Sequence, residues 1–285
     1  FAILLGSDNG GTVTPTDGSV TSDKLAYPFV VNEDGAAASD FRVESDSNTH
    51  MLFVDAGNNK IGINTSSPDD ALHVKGNLFI EDSSPEITLE TTNSSHYNWQ
   101  IAAQENVANS FEIAVGSADA DASNDSFTST LLINSIGAVT MPLQPAFRVT
   151  TTDMGNLSNN TYHTITFGSG GEAFDTNSDF DPSTYTFTAP VTGKYMFGVG
   201  VMVTTLQTDA SYYGIRLTTS NYDTWSYLLD PGGFDETVSY FNMNVPIVTD
   251  MDANDTAIVR YYQGQGTGGV SDINSGSWFS GMLIG

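Results

Sequence analysis

The sequence predicts an all-β protein, a trimeric β-hairpin shaft followed by a C-terminal jelly-roll β-sandwich. Three observations carry that prediction. Segments such as HTITF (residues 163–167), KYMFGVGVMV (194–203) and TAIVRYY (256–262) place apolar residues at alternate positions, the period of a half-buried strand. Clusters of Gly, Ser, Thr, Asn and Asp interrupt them at nearly regular spacing, as antiparallel sandwiches require. No stretch shows a helical period.

With 285 residues the chain suits one or two domains with real cores. Hydrophobic residues at 39% and aromatics at 11% make it globular rather than disordered. Lys and Arg number 8 against 34 Asp and Glu, a formal charge of −26. Such a surface repels phosphate backbones and anionic membranes, which argues against nucleic acid as a partner. The charge has two readings: solubility in a salty medium, where a short Debye length makes dense like charge tolerable, or cation binding. There is no cysteine, so disulfides and thiolate metal sites are unavailable. Robustness outside a cell would then come from oligomerisation. FAILL at residues 1–5 is too short for a membrane span or signal-peptide core, so no membrane insertion is expected. A chain opening on Phe rather than Met suggests a processed or partial product.

Residues 1–40 are small and polar and read as a linker or attachment segment. GSVTSDKLA (18–26) resembles a linker phrase of phage tail fibres, which implies contact with other virion proteins through this segment. Residues 41–144 read as the shaft. Phe41 and Val43 share a face in DFRVES; Leu52 and Val54 lead into a turn at 55–59, and Ile61 and Ile63 lead out. A second unit follows the same plan, with Leu131 and Ile133 before a turn at 134–137 and Val139 and Met141 after it. Neither unit holds enough apolar residues to close a core alone. Wrapping around two sister chains would cover those faces and hide the strand edges, hence the expected homotrimer.

NNKIGINTSSPDDALHVKGNL (58–78) resembles a phrase repeated in phage tail fibres, with Gly62, Thr65, Pro68, Leu72, His73 and Val74 on matching positions. The family's second Gly is Asn64 here, which tolerates similar turn geometry. Residues 145–285 read as a separate head. PAFRV, FDPSTYTFTAPVTGKYMF (180–197) and SGSWFSGMLI together resemble the C1q and tumour-necrosis-factor-like jelly roll. Ala146, Phe147, Asp181, Thr184, Phe187, Pro190, Gly193, Tyr195, Phe197, Phe279, Ser280, Gly281 and Leu283 fall on the family's positions, and NDTAIV (254–259) matches its turn with Asn254 for Gly. Phe180 replaces a Tyr and Tyr185 a Gly. The resemblance implies ten strands and a compact trimer, with the rings filling the sandwich and the three-fold interface. Pro190 would stop a strand end from pairing, and Gly193 would permit the turn. No Gly-X-Y repeat occurs, so the hairpin shaft replaces a collagen stalk.

No catalytic constellation emerges. DADASNDSFTST opens like a calcium loop at Asp119, Asp121 and Ser123 but lacks the sixth-position Gly and twelfth-position Glu. Asp175, Asp179 and Asp181, and Asp250, Asp252 and Asp255, are the calcium candidates, because members of the resembled family sometimes bind calcium at the trimer head; otherwise they build turns. His50, His73, His96 and His163 show no paired ligand spacing. Ser280 lies outside a Gly-x-Ser-x-Gly elbow, and the acidic residues are too many to single out a glycosidase pair. The head loops TSNYDTWSY (219–227) and YYQGQGTGGVSDINSGSW (261–278) mix rings with amides, which suits a sugar or protein surface. Tyr222, Trp225, Tyr227, Gln263, Gln265 and Asn274 are the receptor-binding candidates; the competing reading buries Trp225 and Trp278 in the interface. The expected function is non-catalytic attachment of a phage or similar virus to a host-surface glycan or protein, from the virion surface. The rival readings are a purely structural fibre whose head caps the trimer, and a cellular adhesin.

Overall fold

A computed structural model describes residues 40–285. The attachment segment expected at 1–40 lies outside the described residues except for Asp40. The chain divides into two compact units, Phe1–Glu81 and Asp82–Gly285, so residues 82–144 and 145–285 belong to one unit. Among the described residues no helix is long and apolar enough to cross a membrane.

In the first unit β1 (Phe41–Val43), β2 (Leu52–Asp55), β3 (Lys60–Ile63) and β4 (Leu72–Val74) form one sheet in chain order. The β2–β3 hairpin pairs Leu52 with Ile63 and Val54 with Ile61. Its loop is closed by Asp55, whose carboxylate accepts from the backbone and side-chain nitrogens of Asn58, each at 2.9 Å. β3 and β4 run parallel, joined by a short crossover that Lys60 ties down by donating to the carbonyls of Pro68 (3.1 Å) and Asp69 (3.0 Å). Asn64 takes the left-handed conformation at φ 63°, which Asn tolerates better than most residues. Pairing sets two apolar rows across one face, Phe41–Val54–Ile61–Leu72 and Val43–Leu52–Ile63–Val74. Phe41, Val43, Ile61 and Leu72 are exposed.

The second unit opens with β5 (Glu86–Leu89), β6 (Tyr97–Ala103), β7 (Ser110–Ala118), β8 (Thr128–Asn134) and β9 (Val139–Thr140), a sheet in chain order. The second expected hairpin is β8–β9, with Ile133 opposite Val139 and Gly137 left-handed at φ 80°. The calcium-like segment forms a 3₁₀ turn at Ala122–Asn124, with Asp121 as its cap. One face of this sheet is apolar: Ile87–Ile101–Ile113–Leu131, Leu89–Trp99–Val115 and Phe111–Ile133–Val139 run across it. The opposite face carries buried Asn98, Gln100 and Glu112 and is roofed by the chain's own loops. Asn98 donates to Asp119 and Asp125 (3.1 and 3.0 Å).

The sandwich comprises β10 (Ala146–Thr150), β11 (Met154–Leu157), β12 (Tyr162–Thr164), β13 (Gly171–Asp175), β14 (Phe180–Asp181), β15 (Thr186–Thr188), β16 (Gly193–Leu206), β17 (Tyr212–Thr219), β18 (Tyr227–Leu229), β19 (Val238–Met251), β20 (Thr256–Gly264), β21 (Ser271–Ile273) and β22 (Trp278–Leu283). The resemblance implied ten strands; the sandwich has these thirteen. One sheet runs β11-β21-β16-β22-β10-β13 with β19 on the free side of β16; the other runs β14-β15-β20-β17-β18 with β12 on β20. Alternate residues of the long β16, from Tyr195 to Val203, point inward and are fully buried.

The rings of the jelly-roll signature meet between the sheets. Phe147 stacks on Phe187 (4.8 Å between centroids) and meets Phe279 edge-on (5.0 Å); Phe197 stacks on Phe279 (5.6 Å). All, with Tyr195, are at most 1% exposed within one chain. This corrects the expectation that they also fill a three-fold interface: a ring already enclosed has no surface to offer a second chain. Pro190 is exposed in the bend between β15 and β16, and Leu283 packs on the core. Gly193 opens β16 instead of making a turn. A Cβ there would lie 2.7 Å from the Leu283 side chain, so close packing is its requirement.

Candidate functional site

Residues on a strand's outer face are those whose neighbours at odd spacing fill the core. On β17 the outward set is Tyr212, Gly214, Arg216 and Thr218; on β20 it is Ile258, Arg260, Tyr262 and Gly264. Register places Gly214 opposite Tyr262, Arg216 opposite Arg260, and Tyr162 of β12 on the far side of Tyr262. The glycines leave seats for rings. A Cβ on Gly214 would overlap the Trp225 indole, and one on Gly264 would lie 2.7 Å from the Tyr212 ring.

The result is a four-ring cluster on the outside of the second sheet. Trp225 lies 5.8 Å from Tyr162, 5.7 Å from Tyr212 and 5.8 Å from Tyr262, and Tyr212 stacks on Tyr262 at 5.6 Å. The Arg216 guanidinium packs over Trp225 (4.9 Å) and Tyr162 (5.1 Å), a cation–π arrangement. Asp223 approaches it at 3.3 Å. Trp225 is half-buried and Tyr162 exposed, so both an aromatic surface and a guanidinium edge reach solvent. Desolvation raises the Tyr212 phenol above its ordinary value, helped by Tyr262 beside it, and keeps it a neutral hydroxyl.

The six receptor-binding candidates do not form one patch. Trp225 is central to the cluster; Tyr227, at the start of β18, lies opposite buried Ile215 and packs half-buried against the core instead. Exposed Tyr222 sits by the start of β20, where Asn221 donates to Asp255 (2.6 Å). Gln265 and Asn274 lie past the other end of β20; Gln265 accepts from Ser211 (2.8 Å), and Asn274 closes a turn by accepting from the Gly276 nitrogen (2.9 Å). Gln263 is a correction. It is fully buried, donating to the carbonyls of Gln265 and Thr267 (3.2 Å each) and accepting from Ser271; it supports its loop from within. Tyr162, Tyr212, Tyr262, Arg216 and Arg260 were missed. Their signal was readable in YYGIR and VRYYQG, where outward rings and cations alternate with inward apolar residues.

Most of the calcium candidates already have partners within the chain, while the Asp179 Oδ2 is buried without one. Asp175 accepts from the nitrogens of Asp179 (3.1 Å) and Phe180 (2.9 Å). Asp181 caps Ser183 and Thr184, Asp250 pairs with Lys194 at 2.6 Å, and Asp255 accepts from the Asp252 nitrogen at 2.8 Å. Among the described residues no three acidic or histidine groups converge as a metal site would need.

The outer face of the first sheet is a different surface. Its rows read Ala146–Met282–Met196–Val248, Arg148–Ser280–Gly198–Pro246 and Thr150–Trp278–Gly200–Asn244. Trp278 lies flat over the glycines, with the Arg148 guanidinium 4.4 Å above its ring. A shallow groove of ≈ 290 Å³ lies between Met196, Pro246, Trp278 and Met282.

No family model matches the chain, and no curated protein matches it. Among solved structures, half of this chain is similar to the globular domain of zebrafish complement 1qA protein, at 19% identity and TM-score 0.38, covering 50% of this chain and 98% of that one. Murine APRIL is similar at 7% identity and TM-score 0.36, covering 50% of this chain and 99% of that one. The sandwich assignment itself stands on this chain's own strand order and register.

Proposed function

We propose that the chain is a homotrimeric, non-catalytic fibre protein of phage type that attaches to a host surface through the outer face of its C-terminal sandwich. One observation carries the self-association: the β1–β4 sheet, the β5–β9 sheet and the first sheet of the sandwich each leave a row of large apolar side chains exposed in the single chain. Contiguous apolar surface of that kind marks an interaction site. Two further copies of the same chain fit it, because the exposed rows on the first sheet of the sandwich hold few charges in a molecule whose formal charge is −26. The trimer would present three copies of the ring cluster, so weak contacts add by avidity.

The phage origin rests on the tail-fibre phrase at residues 58–78, and the extracellular virion location follows from it. The ring cluster is what favours attachment over a purely structural cap, since a cap needs no outward rings seated on glycines. The test is saturable binding of the labelled 285-residue chain to candidate host cells. Wild type is expected to bind and Trp225→Ala to lose at least tenfold in affinity while staying folded. Equal binding by the two proteins would contradict attachment through this face.

A further inference from the structure

The ring cluster holds a charge arrangement that ring stacking alone does not explain. Arg216 and Arg260 are directly opposite each other on neighbouring strands. Like charges in that position destabilise a sheet. The chain has only 8 cations for 34 acids, so an abundance of Arg does not account for two falling on one cross-strand pair. Lys194 pairs with Asp250, Arg42 with Glu44, Lys60 donates to two carbonyls and Arg148 packs on Trp278, while Lys75 is exposed to solvent; Arg260 is half-buried. Among the described residues Arg260 has neither an ion-pair nor a hydrogen-bond partner, and the Arg216 Nε is buried without an acceptor. One carboxylate, Asp223, faces the pair, and it reaches Arg216 alone.

Resting on the attachment reading, we propose that this face binds an acidic sugar, a hexuronate residue of a surface polysaccharide. Its ring lies on the aromatic surface of Tyr162, Tyr212, Tyr262 and Trp225, and its carboxylate is held by Arg216 and Arg260. A carboxylate supplies what the pair lacks: a planar acceptor for forked guanidinium donors. The rings supply flat apolar area at low entropic cost. The net charge sets a limit on the ligand. A long polyanion meets repulsion from the rest of the molecule, whereas a single acidic residue feels chiefly charges within about one Debye length, roughly 8 Å at physiological ionic strength. The site therefore selects short acidic stretches within a glycan.

The experiment is isothermal titration of the 285-residue chain with trigalacturonate and, as the neutral counterpart, maltotriose. Wild type is expected to bind trigalacturonate at least tenfold more tightly than maltotriose. Arg260→Gln is expected to lose that preference, and Lys75→Gln, a cation removed from the other unit, to keep it. Because Arg260→Gln relieves the like-charge pair, its melting temperature is expected to equal or exceed that of wild type, which separates a lost ligand contact from a lost fold. Absence of trigalacturonate binding, equal affinity for the two sugars, or an unchanged preference in Arg260→Gln would each overturn the proposal. Host-cell binding separates the two levels of the reading. Cell binding that Arg260→Gln retains in full contradicts the acidic sugar alone; no cell binding by wild type removes the attachment reading and this proposal together.

Discussion

Phe147 shows how closely single side chains fit. Its ring touches Phe180, Phe187 and Phe279, and Gly281 passes beneath it. A Cβ on Gly281 would lie 2.6 Å from Phe147 and 2.7 Å from Phe197, and both rings are immobilised by their neighbours. Overpacking at such a point costs about 3 kcal/mol. Gly281→Ala is therefore expected to lower the denaturant midpoint by that equivalent with an unchanged m-value, measured by urea unfolding. These residues were legible in the sequence because strand alternation and the jelly-roll spacing fixed them together. Tyr185 was legible only as a departure: it occupies the resembled family's Gly position and takes the left-handed conformation, φ 61°, that Gly would. Gln263 was misplaced although the alternation Val259, Tyr261, Gln263 already pointed it inward. Its amide character outweighed its position in the reading, while buried backbone groups nearby required an amide there.

Among the elements, the sheet of β5 to β9 is held by a buried acid. Glu112 is fully buried between the sheet and the loop at 104–109, accepting from the nitrogens of Asn106 (3.1 Å) and Val107 (3.0 Å) and from Ser110 and Ser129. Burial alone would raise its pKa, but these donors outweigh it and hold the carboxyl below its ordinary value. A folded-state pKa below the unfolded one contributes stability that is present above the unfolded value, near 4.5, and is lost as pH falls through the folded one. Thermal unfolding of wild type is thus expected to show a steeper loss of stability below about pH 4.5 than Glu112→Gln, which keeps only the share of the other lowered carboxylates such as Asp181 and Asp209. Equal pH slopes for the two proteins would refute this role. Sequence reading anticipated the two hairpins here and in the first unit. It did not anticipate that Asn98, Gln100 and Glu112 would face the covered side while Trp99 and Ile101 face out, because in isolation either face of a strand can be the inner one.

At the scale of the whole molecule, the distribution of uncovered surface is the main finding. Phe41, Ile61 and Leu72 in the first unit, Leu89, Trp99 and Phe111 in the β5–β9 sheet, and Met196, Val248 and Met282 on the sandwich all remain exposed in one chain. Each such side chain gains about 1 kcal/mol when its remaining apolar surface leaves water. Like-charged chains can meet there without bringing acids together, and Arg148 and the Lys194–Asp250 pair keep the sandwich face near neutral. Cross-strand neighbours such as Arg216 and Arg260, or the row from Ala146 to Val248, depend on register between segments far apart in the chain. That is why the meeting of these residues in one cluster, and the association face of the sandwich, were not readable from the sequence, whereas the fold class, the outward rings within each strand and the apolar hairpin faces were.

The most direct test of trimeric association is the native mass of the 285-residue chain at micromolar concentration. The account predicts a single species of three times the 30.4 kDa chain mass, and a monomer from Ile101→Asp, which places a charge in the central apolar row of the β5–β9 sheet. A monomeric mass for a folded wild-type chain would contradict it.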